Sequence, residues 1–179
     1  MKSSDFKLGE RTFCILDTET TGFSADSHEI TEIAALRVGE GFQIIAETSC
    51  LVRITNRVSY HITAITGITD GMLRKHGRPL PEALADLHRF VDGHTVYAHN
   101  AKFDRGFLNA SAQRAGLEIR FPVECSIPLF KRLLPGLDRY GLQALAGTFQ
   151  LDDEGSHRAL ADCRLLLECM KRAHRRMVV

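Results

Sequence analysis

The sequence predicts an α/β fold: a mixed five-stranded sheet, three antiparallel strands followed by parallel ones, flanked by helices. Two strand patterns, Ile30–Val38 and Phe42–Arg53, are joined by Gly39-Glu40-Gly41, a hairpin signal. A continuous apolar run, Thr12–Asp17, precedes them and reads as a strand buried on both faces. Beyond these three, short strands alternate with segments of helical period.

The remaining elements follow in order. Thr63–Ile68 and Asp70–Lys75 read as short helical turns punctuated by Gly67 and Thr69. Pro81–Val91 is a helix; Pro81 suits its first turn, and Leu84, Leu87, Phe90 and Val91 recur at helical spacing. Thr95–Ala98 is a short strand. Asn100 is placed to cap a helix from Ala101 to about Ala115, with Gly116 as its stop. Phe121–Cys125 is the fifth strand, followed by a helix ended by Pro135-Gly136. Tyr140–Thr148 is a short helix. The last helix runs from about His157 to Arg175, with Leu160, Cys163, Leu167 and Met170 on one stripe and Ser156 as its cap. No Pro- or Gly-rich linker divides the chain, so residues 1–179 are expected to form a single unit with its core at about 12–175.

Composition excludes several classes. The chain has 179 residues, 44% apolar and 25% charged, as in an ordinary globular protein. A net charge of +1 means that any basic surface is local. The five cysteines are scattered, with no CxxC, which argues against a disulfide framework or a zinc site and for a cytoplasmic location. No apolar run approaches the ~18 residues of a membrane span, and the first residues, MKSSDFKLGE, do not read as a secretory signal.

The chemistry lies in three acidic segments. In "FCILDTETTG", Asp17 and Glu19 sit two apart on a strand and so point to one face. Two like charges that close raise at least one pKa unless a cation or proton intervenes, and a hard divalent cation suits carboxylate oxygens. Taken alone, the pair reads first as a solvated strand end. In "AHNAKFD", Asp104 follows a short strand within the first turn or so of a helix, where it either approaches Asp17 and Glu19 or merely complements the helix dipole. In "HRALADC", His157 and Asp162 are five apart. At 3.6 residues per turn they would lie roughly 140° apart on a helix. They converge only if His157 stands at or before the helix start. A histidine there is suited to accept a proton near neutral pH. Four carboxylates and a histidine from three elements could assemble a two-metal site for phosphoryl chemistry.

These three segments resemble the exonuclease motifs of the DEDDh, or DnaQ-like, 3′–5′ exonucleases. That family includes the proofreading epsilon subunit of bacterial DNA polymerase III, RNase T and oligoribonuclease. The resemblance runs from about Thr12 to Cys169. "CSIPLFKRLLPG" and "GLQALAGTF" look most like the epsilon and PolC-type branch. It implies a ribonuclease H-like sheet and two divalent cations, Mg²⁺ or Mn²⁺. Asp17, Glu19, Asp104 and Asp162 match the metal ligands, and His157 the residue that activates water. Thr18, Thr20 and Gly22 are then expected beside the terminal nucleotide. "ITAITGITDGML" resembles the family's "HGIT" element, which points to Ile65 and Thr66, with Thr66 standing where a histidine is frequent. Asn100 and Arg158 complete the expected substrate contacts; Lys102, Arg105 and Arg139 are further phosphate candidates.

The expectation is a metal-dependent 3′–5′ exonuclease that releases nucleoside 5′-monophosphates from a nucleic acid with a free 3′ end. Single-stranded or frayed DNA is favoured over RNA, and a DNA polymerase or replisome subunit is a candidate partner; no membrane is. The alternatives are an exoribonuclease of the RNase T or oligoribonuclease kind and a non-catalytic nucleic-acid-binding or polymerase-docking module. Glu32 is expected to be structural, His99 a hydrogen-bonded structural histidine, and Asp152, Asp153 and Glu154 a solvated loop. The basic run 171–176 reads as a helix end complementing its dipole.

Overall fold

A computed structural model describes residues 11–152 and 157–176. The cap expected at Ser156 and the loop acids Asp153 and Glu154 lie outside these residues.

Five strands form one sheet in the order β3-β2-β1-β4-β5. β1 (Phe13–Thr20), β2 (Ile30–Val38) and β3 (Ile44–Leu51) are an antiparallel meander. β4 (Thr95–Ala98) and β5 (Val123–Cys125) join β1 in parallel. The expected mixed sheet is therefore present, with β1 at its centre. β1 runs further than the apolar run Thr12–Asp17, because β2 pairs with it as far as Thr20. Asp17 and Glu19 consequently lie within the strand, not after it.

The hairpin differs from expectation at Phe42. Glu40–Phe42 form a turn of 3-10 helix, and Phe42 packs edge-on against Phe13 with ring centroids 6.2 Å apart. Burying that ring moves the start of β3 to Ile44. Glu29, just before β2, accepts the backbone N–H groups of Thr55 and Asn56, both at 2.9 Å. β5 begins after Pro122, which has no N–H for a ladder.

The helices are α1 (Tyr60–Thr66), α2 (Asp70–His76), α3 (Leu80–Val91), α4 (Ala101–Arg114), α5 (Ser126–Leu133), α6 (Leu142–Phe149) and α7 (Ala159–Arg175). Ser59 and Thr69 cap α1 and α2 through their hydroxyls, which explains why those short helices form. Strand alternation divides the core. Phe13, Ile15, Ala34 and Leu36 pack with α5, α6 and α7. Cys14, Leu16, Ile33 and Ala35 pack with α3 and α4 on the other face. By the same alternation, Asp17 and Glu19 face the side covered by α7. Among the described residues no helix is long and apolar enough to cross a membrane.

Leu145 on α6 is fully buried in the α7-side core. Leu145→Ala is expected to cost about 2–5 kcal/mol of stability, read from urea unfolding midpoints at unchanged slope.

Candidate active site

β1 supplies Asp17 and Glu19, and α7 supplies Asp162 from its first turn. One carboxylate oxygen from each lies within 4.8 Å of the other two. The parallel β1–β4 pairing carries the start of α4 toward the same end of β1. There Asp104, only 2% exposed, accepts the backbone N–H of Thr18 at 3.1 Å and its hydroxyl at 2.8 Å. Asn100 holds the turn into α4 in the left-handed region, φ 63°. It occupies the cap position as expected, but its side chain makes no capping bond: the turn uses its backbone tolerance instead.

The four acids resist ionisation. Burial holds the Asp17 carboxyl well above the usual carboxylate range, and Asp104, Asp162 and Glu19 add to this by charge repulsion. Glu19 is pushed up to about 8 by burial, then by Asp162 and Glu32, with Arg158 opposing. Asp104 is raised to about 7 by burial against its bonds from Thr18. Asp162 is raised by burial and partly relieved by the backbone of His157. A compact, all-oxygen donor set that is short of positive charge fits a hard divalent cation.

His157 stands before α7, not on it. Its φ of 68° is left-handed, and its side chain is exposed. Its N–H donates to the Asp162 carboxylate at 3.3 and 3.4 Å. The obstacle posed by a five-residue helical spacing is thereby removed. Arg158, expected as a phosphate contact, is forked onto Glu32 of β2, with Nη2 at 2.7 Å and Nε at 3.0 Å. Glu32 lies directly across from Glu19 in the β1–β2 register, is 2% exposed and also accepts the Ala159 N–H at 3.0 Å. This pairing spans 126 residues of chain. Nothing in local spacing signals it.

The other expected contacts divide into exposed and committed groups. Ile65 is 39% exposed, and Lys102, Arg105 and Arg139 are exposed too. Thr18 is buried with its hydroxyl given to Asp104. Thr20 donates to the Gly22 carbonyl at 2.6 Å. Gly22 sits under the His28 ring, where a Cβ would fall 2.4 Å from the imidazole, so no larger residue fits without displacing it. Thr66 is buried and turned back into its helix, donating to the Ile62 carbonyl at 3.0 Å. His99 is a structural histidine: Nε2–H donates to the Tyr140 carbonyl at 2.8 Å, Nδ1 meets Ser126 at 2.9 Å, and burial lowers its pKa. Two exposed aromatics, Phe23 (82%) and Tyr60 (90%), carried no signal in the sequence pattern.

Comparison with known proteins places the assembly. The exonuclease family model matches residues 14–170. The chain belongs to the exonuclease family. Within that family it is 36% identical to DNA polymerase III subunit epsilon of Aquifex aeolicus over 176 residues, covering 94% of this chain and 86% of the relative. It is also 36% identical over 160 residues to the PolC-type DNA polymerase III of Lactococcus lactis. That match covers 89% of this chain but only 10% of the polymerase, so the chain spans about a tenth of the PolC-type relative. Exonuclease X in complex with 5′ overhanging duplex DNA superposes with a TM-score of 0.70 at 30% identity, covering 90% of each chain. E. coli exonuclease I with a dT13 oligonucleotide gives 0.82 at 18% identity over 94% of this chain and 42% of that one, a likeness in fold.

The raised carboxyls have a signed consequence for stability. In the unfolded chain Glu19 titrates near 4.5, and in the fold near 8. Between those values the folded state binds more protons, so the cluster's contribution to stability falls as pH rises. Removing one charge, as in Asp17→Asn, is expected to raise the melting temperature in EDTA, by more at about pH 8 than at about pH 5. Thermal melts of variant and parent across that range check the sign.

Proposed function

We propose that the chain is a metal-dependent 3′–5′ exonuclease that releases nucleoside 5′-monophosphates from the 3′ end of DNA. The observation that carries this reading is the carboxylate cluster of Asp17, Glu19 and Asp162, with Asp104 and His157 at its border. Asp17, Glu19, Asp104 and Asp162 would hold two divalent cations, Mg²⁺ or Mn²⁺. When bound, such ions supply Lewis acidity and offset charge in an in-line displacement at phosphorus. His157 takes the proton of the attacking water as general base. Its exposed position lets the imidazole reach a substrate from the solvent side, while the backbone bond to Asp162 ties it to the acids. The water oxygen bonds to the terminal phosphorus, and the bond to the 3′ oxygen of the preceding nucleotide breaks. Thr18 orients Asp104. Ile65 offers an apolar surface to the terminal base, and the Thr20–Gly22 turn and Asn100 border the nucleotide.

DNA is favoured because exonuclease X, 30% identical, was solved with a DNA duplex. The polymerase relatives support work beside a DNA polymerase. Five free thiols favour a reducing, cytoplasmic setting.

The test is a 5′-labelled oligonucleotide incubated with Mg²⁺ or Mn²⁺, DNA and RNA in parallel. Stepwise 3′ shortening of DNA is expected, abolished by EDTA and by Asp17→Ala. Faster digestion of RNA would move the reading to an exoribonuclease, and binding without turnover in either metal would move it to a docking module. His157→Ala is expected to lower kcat by about 10²–10⁴-fold, the range of a lost general base, with oligonucleotide binding retained in a filter assay.

A further inference from the structure

We propose that Glu32 and Arg158 act as one positioning unit that sets where His157 stands relative to the carboxylates; the proposal rests on the exonuclease reading above. Glu32 is a buried carboxylate, which a fold tolerates only when it is well paired. It is paired four times. Arg158 donates through Nε at 3.0 Å and Nη2 at 2.7 Å, Ala159 through its backbone N–H at 3.0 Å, and Ser49 through its hydroxyl at 3.3 Å.

Two of these bonds determine how α7 begins. Arg158 is the cap residue of α7, yet its side chain caps nothing there. The first N–H of the helix, that of Ala159, is satisfied from β2 instead. The same carboxylate thus grips the two residues that directly follow His157. On the other side, Asp162 holds the His157 N–H through long bonds of 3.3 and 3.4 Å. The shorter, forked and charge-assisted contact is the one to Glu32. Glu32 itself lies across from Glu19 in the strand register. One strand pair therefore carries Asp17 and Glu19, and its own buried carboxylate fixes the approach of the histidine. A displacement of about 1 Å in a reacting group can cost about 10²-fold in rate. The fork commits two of the five N–H donors of Arg158 to Glu32.

The pair is tested with kcat and KM on a 5′-labelled DNA strand in Mg²⁺, for Glu32→Gln, Arg158→Ala, Arg158→Lys and the double variant Glu32→Gln/Arg158→Ala. Glu32→Gln keeps an acceptor for the Ala159 N–H and nearly the same volume. Each single variant is expected to lose about 10- to 100-fold in kcat, as for groups that orient others, with KM within about threefold. Arg158→Lys keeps the charge but not the fork and should not restore kcat. The double variant should be no worse than the poorer single one. A rise in KM at constant kcat for Arg158→Ala, with Glu32→Gln neutral, would overturn the proposal and return Arg158 to the phosphate; multiplicative losses in the double variant would also overturn it. Amide exchange in metal-free protein gives a readout apart from turnover. Arg158→Ala should speed exchange across 157–162 and leave 13–16 unchanged, and unchanged exchange at 157–162 counts against the pair. If the parent protein shows no nuclease activity in any metal, the exonuclease reading fails, while the exchange comparison still decides the pair.

Discussion

Asp17, Glu19 and Asp162 each bring a carboxylate oxygen within 4.8 Å of the other two by strand pleat and helix packing, against the repulsion that ionisation would bring. The pleat of β1 puts Asp17 and Glu19 on one face, and β1 cannot shift because it is the central strand, paired on both edges. α7 packs across β1 and β2 through Cys163, Leu166, Leu167 and Met170, so its first turn and Asp162 have no freedom to retreat. Apolar burial, at roughly 25 cal/mol per Å², supplies the free energy that holds the repelling groups together. The site is thus a set of carboxyls that would repel one another if all were ionised, held on a packed frame, and its all-oxygen donor set suits a divalent cation.

The acids of this region differ in how they are satisfied. Glu32 accepts from a guanidinium fork, a helix N–H and a hydroxyl, and it serves the fold. Asp104 uses one oxygen on Thr18 and still lies close enough to raise Asp17. Asp17 and Glu19 have charge neighbours but little compensation, and Glu19 is held near 8. The left-handed backbone of His157 puts it ahead of the helix, exposed, with its N–H tied to Asp162.

Much of this could be read in the sequence because it depends on local spacing. The two-residue separation of Asp17 and Glu19, the hairpin glycines and the helical stripe of α7 are all short-range patterns, and the sheet followed from them. Long-range pairing could not be read in the same way. Arg158 is expected at a phosphate from its place beside His157; its partner Glu32 is 126 residues away, beyond the reach of local spacing. Thr18 and Thr66, expected beside the substrate from their motifs, are both buried, with their hydroxyls bonded to Asp104 and to the Ile62 carbonyl. Asn100 was legible as a position and not as a mechanism, since its backbone and not its amide makes the turn. In each case the residue type was informative and the direction of its side chain was not.

The most direct test of this account counts the protons released when a cation binds. Carboxyls held near 7 and 8 are substantially protonated at about pH 7 and must give up those protons to bind metal. Calorimetric titration of Mn²⁺ into metal-free protein, in buffers of different ionisation enthalpy, should show release of about one proton or more per chain at pH ~7, fading by pH ~9. Binding with no proton release at pH ~7 would contradict the claim that these acids are held un-ionised until a cation arrives.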